Sequence, residues 1–286
     1  MKPAIGFFED ERSDDYPESL YVADGFAPMI ETLADFNEEA FEVYKEVGFV
    51  AIRQAFTPEE VASVGQALQD IVQMESLPAG VQLQYENRAR DILPSLSPEE
   101  RLDAVRKFML FVHLDERLER MVYHPALMPI LNQLLGEPPK MFQDMALLKP
   151  PGIGREKPWH QDNAYFKVPQ GAEVVGIWAA LDQATPENGC MFFQPGGHHA
   201  GPLPHFNRRD WQICDADILG RKSIAVPLPP GGCVIFNGLV PHGTPSNRTN
   251  TRRRALQFHY KGESVPETTD QVRLDTYGSE GVGATC

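Results

Sequence analysis

The chain has 286 residues, of which 42% are hydrophobic and 23% charged, and its formal net charge at pH 7 is −14. This length suits one elaborated domain, so we predict a single domain over residues 1–286 with irregular termini at 1–33 and 264–286. The negative charge argues against nucleic acid or an anionic membrane as a partner, because both bind positive surfaces.

The first half of the chain predicts helices. The segment 36–48 has helical spacing of its apolar residues and is followed by a short strand at 49–53. The segment 57–74 begins with Thr57 as a candidate N-cap and Pro58 in the first turn. Two further helical segments fill 115–136 and are interrupted near Pro125.

From residue 140 onward the pattern changes to short β-rich runs separated by Pro, Gly and Asn turns. These predicted strand regions are MFQDMALLK, AEVVGIWAALD, CMFFQPG, KSIAVPLPPGGCVIF and RRALQFHY. Helices followed by closely spaced strands indicate an α+β protein whose core is a double-stranded β-helix, a jelly-roll or cupin-like double sheet, with flanking N-terminal helices.

The stretch PWHQDNAYF at 158–166 lies in this strand region and carries a candidate metal site. In an extended chain His160 and Asp162 point to the same face, roughly 7 Å apart at the backbone, so both can reach one ion. A third ligand, His242, follows the strand in GGCVIFNGLVPHGT. Two His and one carboxylate with open positions form the ligand set of non-haem Fe(II) oxygenases. A His-x-Asp pair also occurs as an ordinary surface pair, and three ligands plus water also suit a zinc hydrolase.

The run RRRALQFHY supplies a candidate anion-binding residue. Strand alternation places Arg253, Ala255, Gln257 and His259 on one face of this run. If that face is inside the barrel, Arg253 is a buried cation without a nearby acid in sequence, and a bound dicarboxylate would compensate its charge. Three solvated arginines on an edge strand are the alternative.

Ordered motifs along the chain resemble those of the phytanoyl-CoA dioxygenase family of Fe(II)/2-oxoglutarate oxygenases. The resemblance runs from YKEVGFVAIRQAFTPEEV to RRRALQFHY and is weak at both termini. Between these ends the matching motifs are LLKPPG, WHQD, GIWAALDQATPENGCMFFQPGGH and PHGTPSN.

The resemblance implies the roles of eight residues. Iron would be bound by His160, Asp162 and His242, and 2-oxoglutarate by Arg253, Thr244 and Lys107, with Trp178 and Gln161 lining the site.

The implied activity is that of a soluble dioxygenase that uses Fe(II), 2-oxoglutarate and O₂. It would hydroxylate or desaturate a small organic substrate while 2-oxoglutarate is converted to succinate and CO₂. Related halogenases have a small residue where this chain keeps Asp162, so hydroxylation is favoured over halogenation. An acyl-CoA 2-hydroxylase of the same family and a catalytically idle cupin-like binding protein remain the alternatives.

Other features carry less chemistry. The acidic N-terminal stretch has no apolar signal-peptide core, so we expect a cytoplasmic protein. The four cysteines have no C-x-x-C spacing and are predicted to be reduced thiols. His198 and His199 are predicted to be polar loop groups, His205 to support the metal ligands, and His259 to be structural.

Overall fold

A computed structural model describes residues 6–9 and 15–278 of the chain. Its helices are α1 (Glu38–Val47), α2 (Pro58–Val72), α3 (Glu116–Val122), α4 (Met128–Leu135), α5 (Asp215–Ile218) and α6 (Asp270–Tyr277). Its strands are β1 (Phe7–Phe8), β2 (Met29–Thr32), β3 (Phe49–Gln54), β4 (Gln82–Tyr85), β5 (Val105–Met109), β6 (Pro139–Lys149), β7 (Lys157–His160), β8 (Val174–Ala180), β9 (Met191–Phe193), β10 (His205–Asn207), β11 (Trp211–Ile213), β12 (Ile224–Val226), β13 (Cys233–Asn237), β14 (His242–Thr244) and β15 (Arg253–Gly262).

Most strands form two sheets that face each other, and β10 and β11 form a separate two-stranded sheet. The large sheet has the order β1-β4-β5-β6-β15-β8-β13-β3-β2, and the small sheet has the order β12-β9-β14-β7. Apolar side chains from the inner faces of both sheets pack in one cluster, which includes Phe236 of the large sheet and Phe193 of the small one. The predicted double-sheet fold with N-terminal helices is confirmed.

Helices α1 to α4 cover the outer face of the large sheet. Strand β3 shows how alternation builds both layers, because Val50 and Ile52 pack with the helices while Phe49 and Ala51 face the small sheet. Helix α2 begins as predicted, with a reciprocal capping box between Thr57 and Glu60. The large sheet therefore packs against helices on its outer face and against the small sheet on its inner face.

Several elements differ from the sequence prediction. The region 222–236 contains two strands, β12 and β13, because the prolines and glycines between them cannot continue a ladder. The termini predicted to be irregular contain β1, β2 and α6 in their described parts; β2 pairs in parallel with β3, an interaction of backbone groups that leaves little side-chain pattern. Strands β4 and β5 were not predicted either, because their short segments also show little side-chain pattern.

The state of the cysteines agrees with the prediction only in part. Cys190 and Cys233 are buried free thiols, as predicted, whereas Cys214 is disulfide-bonded, so the prediction was wrong for that residue. The prediction for Cys286 lies outside the described residues.

Within residues 6–9 and 15–278, none of the helices has the length and apolar character needed to span a bilayer.

Candidate iron and 2-oxoglutarate site

The two predicted histidine ligands are direct neighbours across the small sheet. His160 is the last residue of β7 and His242 the first residue of β14, and the two residues are opposite each other in the antiparallel register. Their ring centroids are 4.3 Å apart. Although 82 positions separate them in sequence, backbone pairing brings both imidazoles to one point between the sheets.

Asp162 completes the group from a different local structure than predicted. Strand β7 ends at His160, and Asp162 begins a 3-10 turn that extends to Tyr165. The intervening Gln161 is still extended, with φ −109° and ψ 132°, so His160 and Asp162 project to the same side. The ligand atoms of His160, Asp162 and His242 all lie within 4.8 Å of one another, and all three residues are buried.

Backbone carbonyls fix the tautomers of the two histidines. Nδ1 of His160 lies 2.7 Å from the carbonyl oxygen of Pro158, and Nδ1 of His242 lies 3.0 Å from that of Val240. Because a carbonyl only accepts hydrogen bonds, each Nδ1 carries the proton and each Nε2 presents a lone pair. Burial lowers the pKa of His242 to about 3, so this imidazole is neutral.

These lone pairs make the site suitable for a cation. His160 Nε2 is 3.2 Å from Asp162 Oδ1, and His242 Nε2 is 3.6 Å from Asp162 Oδ2. An ionised carboxylate beside two nitrogen lone pairs is repulsive without a metal ion, so the donor set fits Fe(II).

One cavity contains these three ligands and Arg253. Charged residues lining the cavity are the cations Arg106, Lys107, Lys149, Arg155, Lys157 and Arg253 and the acids Asp162 and Asp210. The interior is therefore rich in cations although the whole chain carries a net charge of −14.

Arg253 lies on the inner face, on the side of the strand that alternation assigns to Gln257 and His259 as well. Its side chain is almost fully buried, with Nη1 donating to the carbonyl oxygen of Leu147 at 2.8 Å and the guanidinium 5.2 Å from the ring centroid of Trp178. Its Nε has no hydrogen-bond partner, and no acid of the described residues forms an ion pair with it. Burial lowers the pKa of Arg253 to about 9, which leaves the group charged at neutral pH.

The neighbouring arginines are on the opposite face and have acid partners. Arg252 pairs with Asp103 at 3.3 Å, and Arg254 donates to both carboxylate oxygens of Asp182 at 2.9 and 2.8 Å. The structure therefore favours the reading in which Arg253 alone of the three faces an anion-binding cavity, over the reading of three solvated side chains.

The other predicted cosubstrate residues take different positions. Thr244 and Lys107 line the cavity, and burial lowers the pKa of Lys107 to about 8. Trp178 lies beneath Arg253. Gln161 binds the backbone of surrounding loops, donating to the carbonyl oxygens of Gly201 and Leu239 and accepting from the amide of Leu203. Its role as a residue lining the site stays a prediction.

For several residues in or beside the cavity, the sequence analysis gave no role or left the role open. Lys157 donates to Asp210 at 2.7 Å and to the Tyr165 hydroxyl at 2.9 Å. Tyr165 and Phe166, which the sequence left between pocket and core, line the cavity. His259, predicted to be structural, lies 2.7 Å from Asp162 Oδ2 through its Nε2 atom. Alternation from Arg253 was the signal that could have found it.

Three further histidines, His198, His199 and His205, contact backbone carbonyl oxygens. His198 and His199 contact the carbonyl oxygens of Lys45 and Glu46 near the end of α1, as expected of polar loop groups. His205 accepts a hydrogen bond from the amide of Gln161 at 3.0 Å, while its Nδ1 lies 2.8 Å from the carbonyl of Leu203. Since Gln161 connects His160 to Asp162, His205 contacts the backbone between two predicted metal ligands, and its supporting role stays a prediction.

A family model described as phytanoyl-CoA dioxygenase matches residues 44–255, which is most of the chain. The chain belongs to the phytanoyl-CoA dioxygenase family. Among curated proteins, this family member is 24% identical over 261 residues to phytanoyl-CoA dioxygenase domain-containing protein 1 of Danio rerio, covering 78% of this chain and 89% of the relative.

Solved structures share the fold of this phytanoyl-CoA dioxygenase family member. The non-haem α-ketoglutarate-dependent carbocyclase SnoK from nogalamycin biosynthesis aligns with a TM-score of 0.66 and 20% identity, covering 89% of this chain and 97% of SnoK. EvdO2 of Micromonospora carbonacea var. aurantiaca, solved with 2-oxoglutarate, aligns with a TM-score of 0.60 and 24% identity, covering 84% and 96%.

The family and the metal-binding triad together define the enzyme class. This family member is an Fe(II)/2-oxoglutarate-dependent dioxygenase, and the predicted cofactors, Fe(II) and 2-oxoglutarate with O₂, are confirmed for that class. This enzyme class is different from the two alternatives, a zinc hydrolase and a catalytically idle binding protein, and replaces them.

Proposed function

We propose that this dioxygenase hydroxylates or desaturates a small organic molecule bound in the cavity beside its metal ligands, and that residues 1–286 form one domain. The observation that carries the proposal is the presence, in one cavity, of an intact His160–Asp162–His242 triad and a buried Arg253 without an acid partner. Retention of the Asp162 carboxylate supports oxygenation over halogenation, because a halide would need the position that this ligand takes.

Each residue has a task that follows from its contacts. His160, Asp162 and His242 would hold Fe(II), which together with 2-oxoglutarate and O₂ supplies the oxidising chemistry. Arg253 would bind the distal carboxylate of 2-oxoglutarate by a charge-assisted pair, with Thr244 and Lys107 as additional polar contacts.

Aromatic rings around the metal ligands would keep water away from the reacting carbon. Phe193 and Phe236 pack on His242 at centroid distances of 5.6 and 5.0 Å, and Tyr165 contacts His160 edge-on at 5.6 Å. On the cavity side, Phe166 is buried and belongs to the lining. Such a wall limits side reactions and strengthens electrostatic interactions inside the site.

An acyl-CoA thioester is the alternative substrate class. The cations Arg106, Lys107 and Lys157 in the cavity favour an anionic substrate, whereas the net charge of −14 opposes a polyanionic one at long range. Stimulation of succinate formation by a panel of carboxylates, acyl-CoA thioesters and neutral compounds would select between the classes. The cytoplasm stays the predicted compartment.

The reaction outcome is the direct test of the proposed function. With a substrate found in that panel, we expect a product that carries one atom from ¹⁸O₂ or has lost two hydrogens, and that gains no chlorine at high chloride. Mass spectrometry with labelled O₂ and added chloride gives the answer. A chlorinated product would exclude the hydroxylase proposal, and product formation without 2-oxoglutarate or O₂ would exclude oxygenation altogether.

The pKa of Lys107 predicts how pH affects cosubstrate binding. Groups facing this lysine are Glu9, Arg106, Lys157 and Asp210. Burial lowers the pKa of Lys107 to about 8, so the ammonium is charged below that pH and neutral above it. If it binds a carboxylate of 2-oxoglutarate, affinity is highest below the pKa and falls several-fold between about pH 6.5 and about pH 9.

Lys107→Arg is the matched variant, because a guanidinium keeps its charge throughout this range. Anaerobic titrations with 2-oxoglutarate at several pH values measure the dependence. We expect a flatter profile for Lys107→Arg than for the wild type. Identical pH profiles would remove Lys107 from the cosubstrate contacts.

A further inference from the structure

One oxygen of the Asp162 carboxylate receives two hydrogen bonds from the same strand. Gln257 Nε2 donates to Asp162 Oδ2 at 3.0 Å, and His259 Nε2 lies 2.7 Å from the same atom. Both residues are on β15, two and three alternations beyond Arg253, and face the interior. The other oxygen, Oδ1, lies 3.2 Å from Nε2 of His160, which is closer than Oδ2 lies to Nε2 of His242, at 3.6 Å.

The surroundings of His259 determine its tautomer. The residue is fully buried, and its Nδ1 has no hydrogen-bond partner. A proton on Nδ1 would let Nε2 accept a hydrogen bond from Gln257 Nε2, which lies 3.1 Å away. It would also leave a buried Nδ1–H donor unsatisfied and set the Nε2 lone pair 2.7 Å from the Asp162 carboxylate, which together cost more than an unpaired acceptor. The proton is therefore on Nε2. This is the opposite of His160, His242 and His205, whose Nδ1 atoms face carbonyl oxygens.

The packing around His259 leaves it little freedom to turn away. The ring of Phe166 contacts it at a centroid distance of 4.7 Å, and those of Phe142 and Phe236 at 6.3 Å. On the neighbouring strand β8 the residue opposite His259 is Gly176. A Cβ at that glycine would lie 2.3 Å from the Phe236 ring, so Gly176 is required for the ring to pack there.

We propose that Gln257 and His259 are positioning residues that hold Asp162 Oδ2, so that the carboxylate binds the metal through Oδ1 alone. This inference rests on the proposed function. With two imidazoles and one carboxylate oxygen as ligands, an octahedral ion keeps three positions for the 2-oxo acid and O₂, whereas a bidentate carboxylate would take one of them. Strand β15 thus carries the cosubstrate residue Arg253 and the two groups that orient the metal carboxylate.

The first test needs no metal. Long-range ¹H–¹⁵N correlation spectra of the metal-free protein with labelled histidine report which ring nitrogen carries the proton. We expect an Nε2–H tautomer for His259, identified by the signal lost in His259→Phe, and Nδ1–H tautomers for His160, His205 and His242. An Nδ1–H tautomer for His259 would overturn the proposal, because no hydrogen bond to Asp162 could then be donated.

The second test measures affinity for cobalt(II) by calorimetry in the absence of 2-oxoglutarate. Loss of groups that orient metal ligands costs about 10- to 100-fold in affinity, and we expect this for His259→Phe and Gln257→Leu. His259→Gln keeps an N–H donor near the position of Nε2 and should recover part of the loss. A merely structural role of His259 would give no such recovery.

The control is Tyr260→Phe on the adjacent position of the same strand. Tyr260 is buried and donates to the carbonyl oxygen of Val122 on the opposite face at 2.7 Å, so its loss affects stability but not the carboxylate. Cobalt affinity unchanged in folded Gln257→Leu and His259→Gln, whether or not His259→Phe folds, would overturn the proposal. If the wild type binds no cobalt, the proposed metal site fails, and the tautomer alone then tests the hydrogen bond.

Discussion

Arg253→Ala is expected to lower the affinity for 2-oxoglutarate by about 30-fold or more while Fe(II) binding is retained. The change removes a charge-assisted pair worth roughly 2 kcal/mol or more, which corresponds to that factor. The effect should be large because Arg253 is buried and has no acid partner, so its charge is uncompensated until the cosubstrate binds. In the anaerobic Fe(II) protein, the weak visible charge-transfer band of a chelated 2-oxo acid reports binding.

Two neighbouring arginines serve as matched controls for this prediction. Arg252→Ala and Arg254→Ala each remove a guanidinium from the same strand region, but these groups pair with Asp103 and Asp182 on the other face. We expect their 2-oxoglutarate affinities to stay near that of the wild type. Arg253→Lys keeps the charge without the planar fork and should be intermediate. Unchanged affinity in Arg253→Ala, or an equal loss in Arg254→Ala, contradicts the assignment.

Asp162→Ala is expected to weaken Fe(II) binding by more than about 100-fold. Loss of a group that merely orients a ligand costs about 10- to 100-fold, and Asp162 is itself a proposed ligand and the single anion among the three. Its removal leaves two neutral imidazoles, which neutralise none of the charge of a buried dication. Anaerobic calorimetry with Fe(II) measures the change, and circular dichroism checks that the variant is folded.

Asp210→Asn is the control for the loss of a negative charge from the same cavity. Asp210 lines the cavity but pairs with Lys157 and is not part of the metal-binding group. Its replacement should leave Fe(II) affinity within a few-fold of the wild type. Similar losses in the two variants would mean that the overall cavity charge, and not coordination by Asp162, determines metal affinity.

His259 illustrates what the sequence could and could not predict about the site. Alternation along RRRALQFHY places His259 on the same face as Arg253, and the structure agrees. Its spacing to the metal ligands gave no sign of a contact, because 97 residues separate it from Asp162 and only the neighbouring strands and loops bring them together. The residue was therefore predicted to be structural, whereas it contacts Asp162, a proposed metal ligand.

Asp162 shows how a correct residue can follow from an incomplete local argument. The sequence placed His160 and Asp162 on one face of a strand, but β7 ends at His160 and a 3-10 turn begins at Asp162. The side chains still converge because Gln161 alone remains extended between them. The Gln161 amide donates to His205, which begins strand β10, 44 residues away in the chain.

The sequence by itself determined the α+β order and the double-sheet fold, predicted the ligand set His160, Asp162 and His242, and placed Arg253 on one face of its strand without deciding whether that face points inward. These are properties of short-range periodicity, residue chemistry and ordered motifs, and each can be recognised without knowing which strands are neighbours. Tertiary structure alone decided that His242 pairs opposite His160, that Arg253 lacks an acid while Arg252 and Arg254 have one, and that Gln257 and His259 hold Asp162. Such contacts arise from pairing between strands far apart in the chain. The local sequence of a strand does not show which distant strand it will pair with.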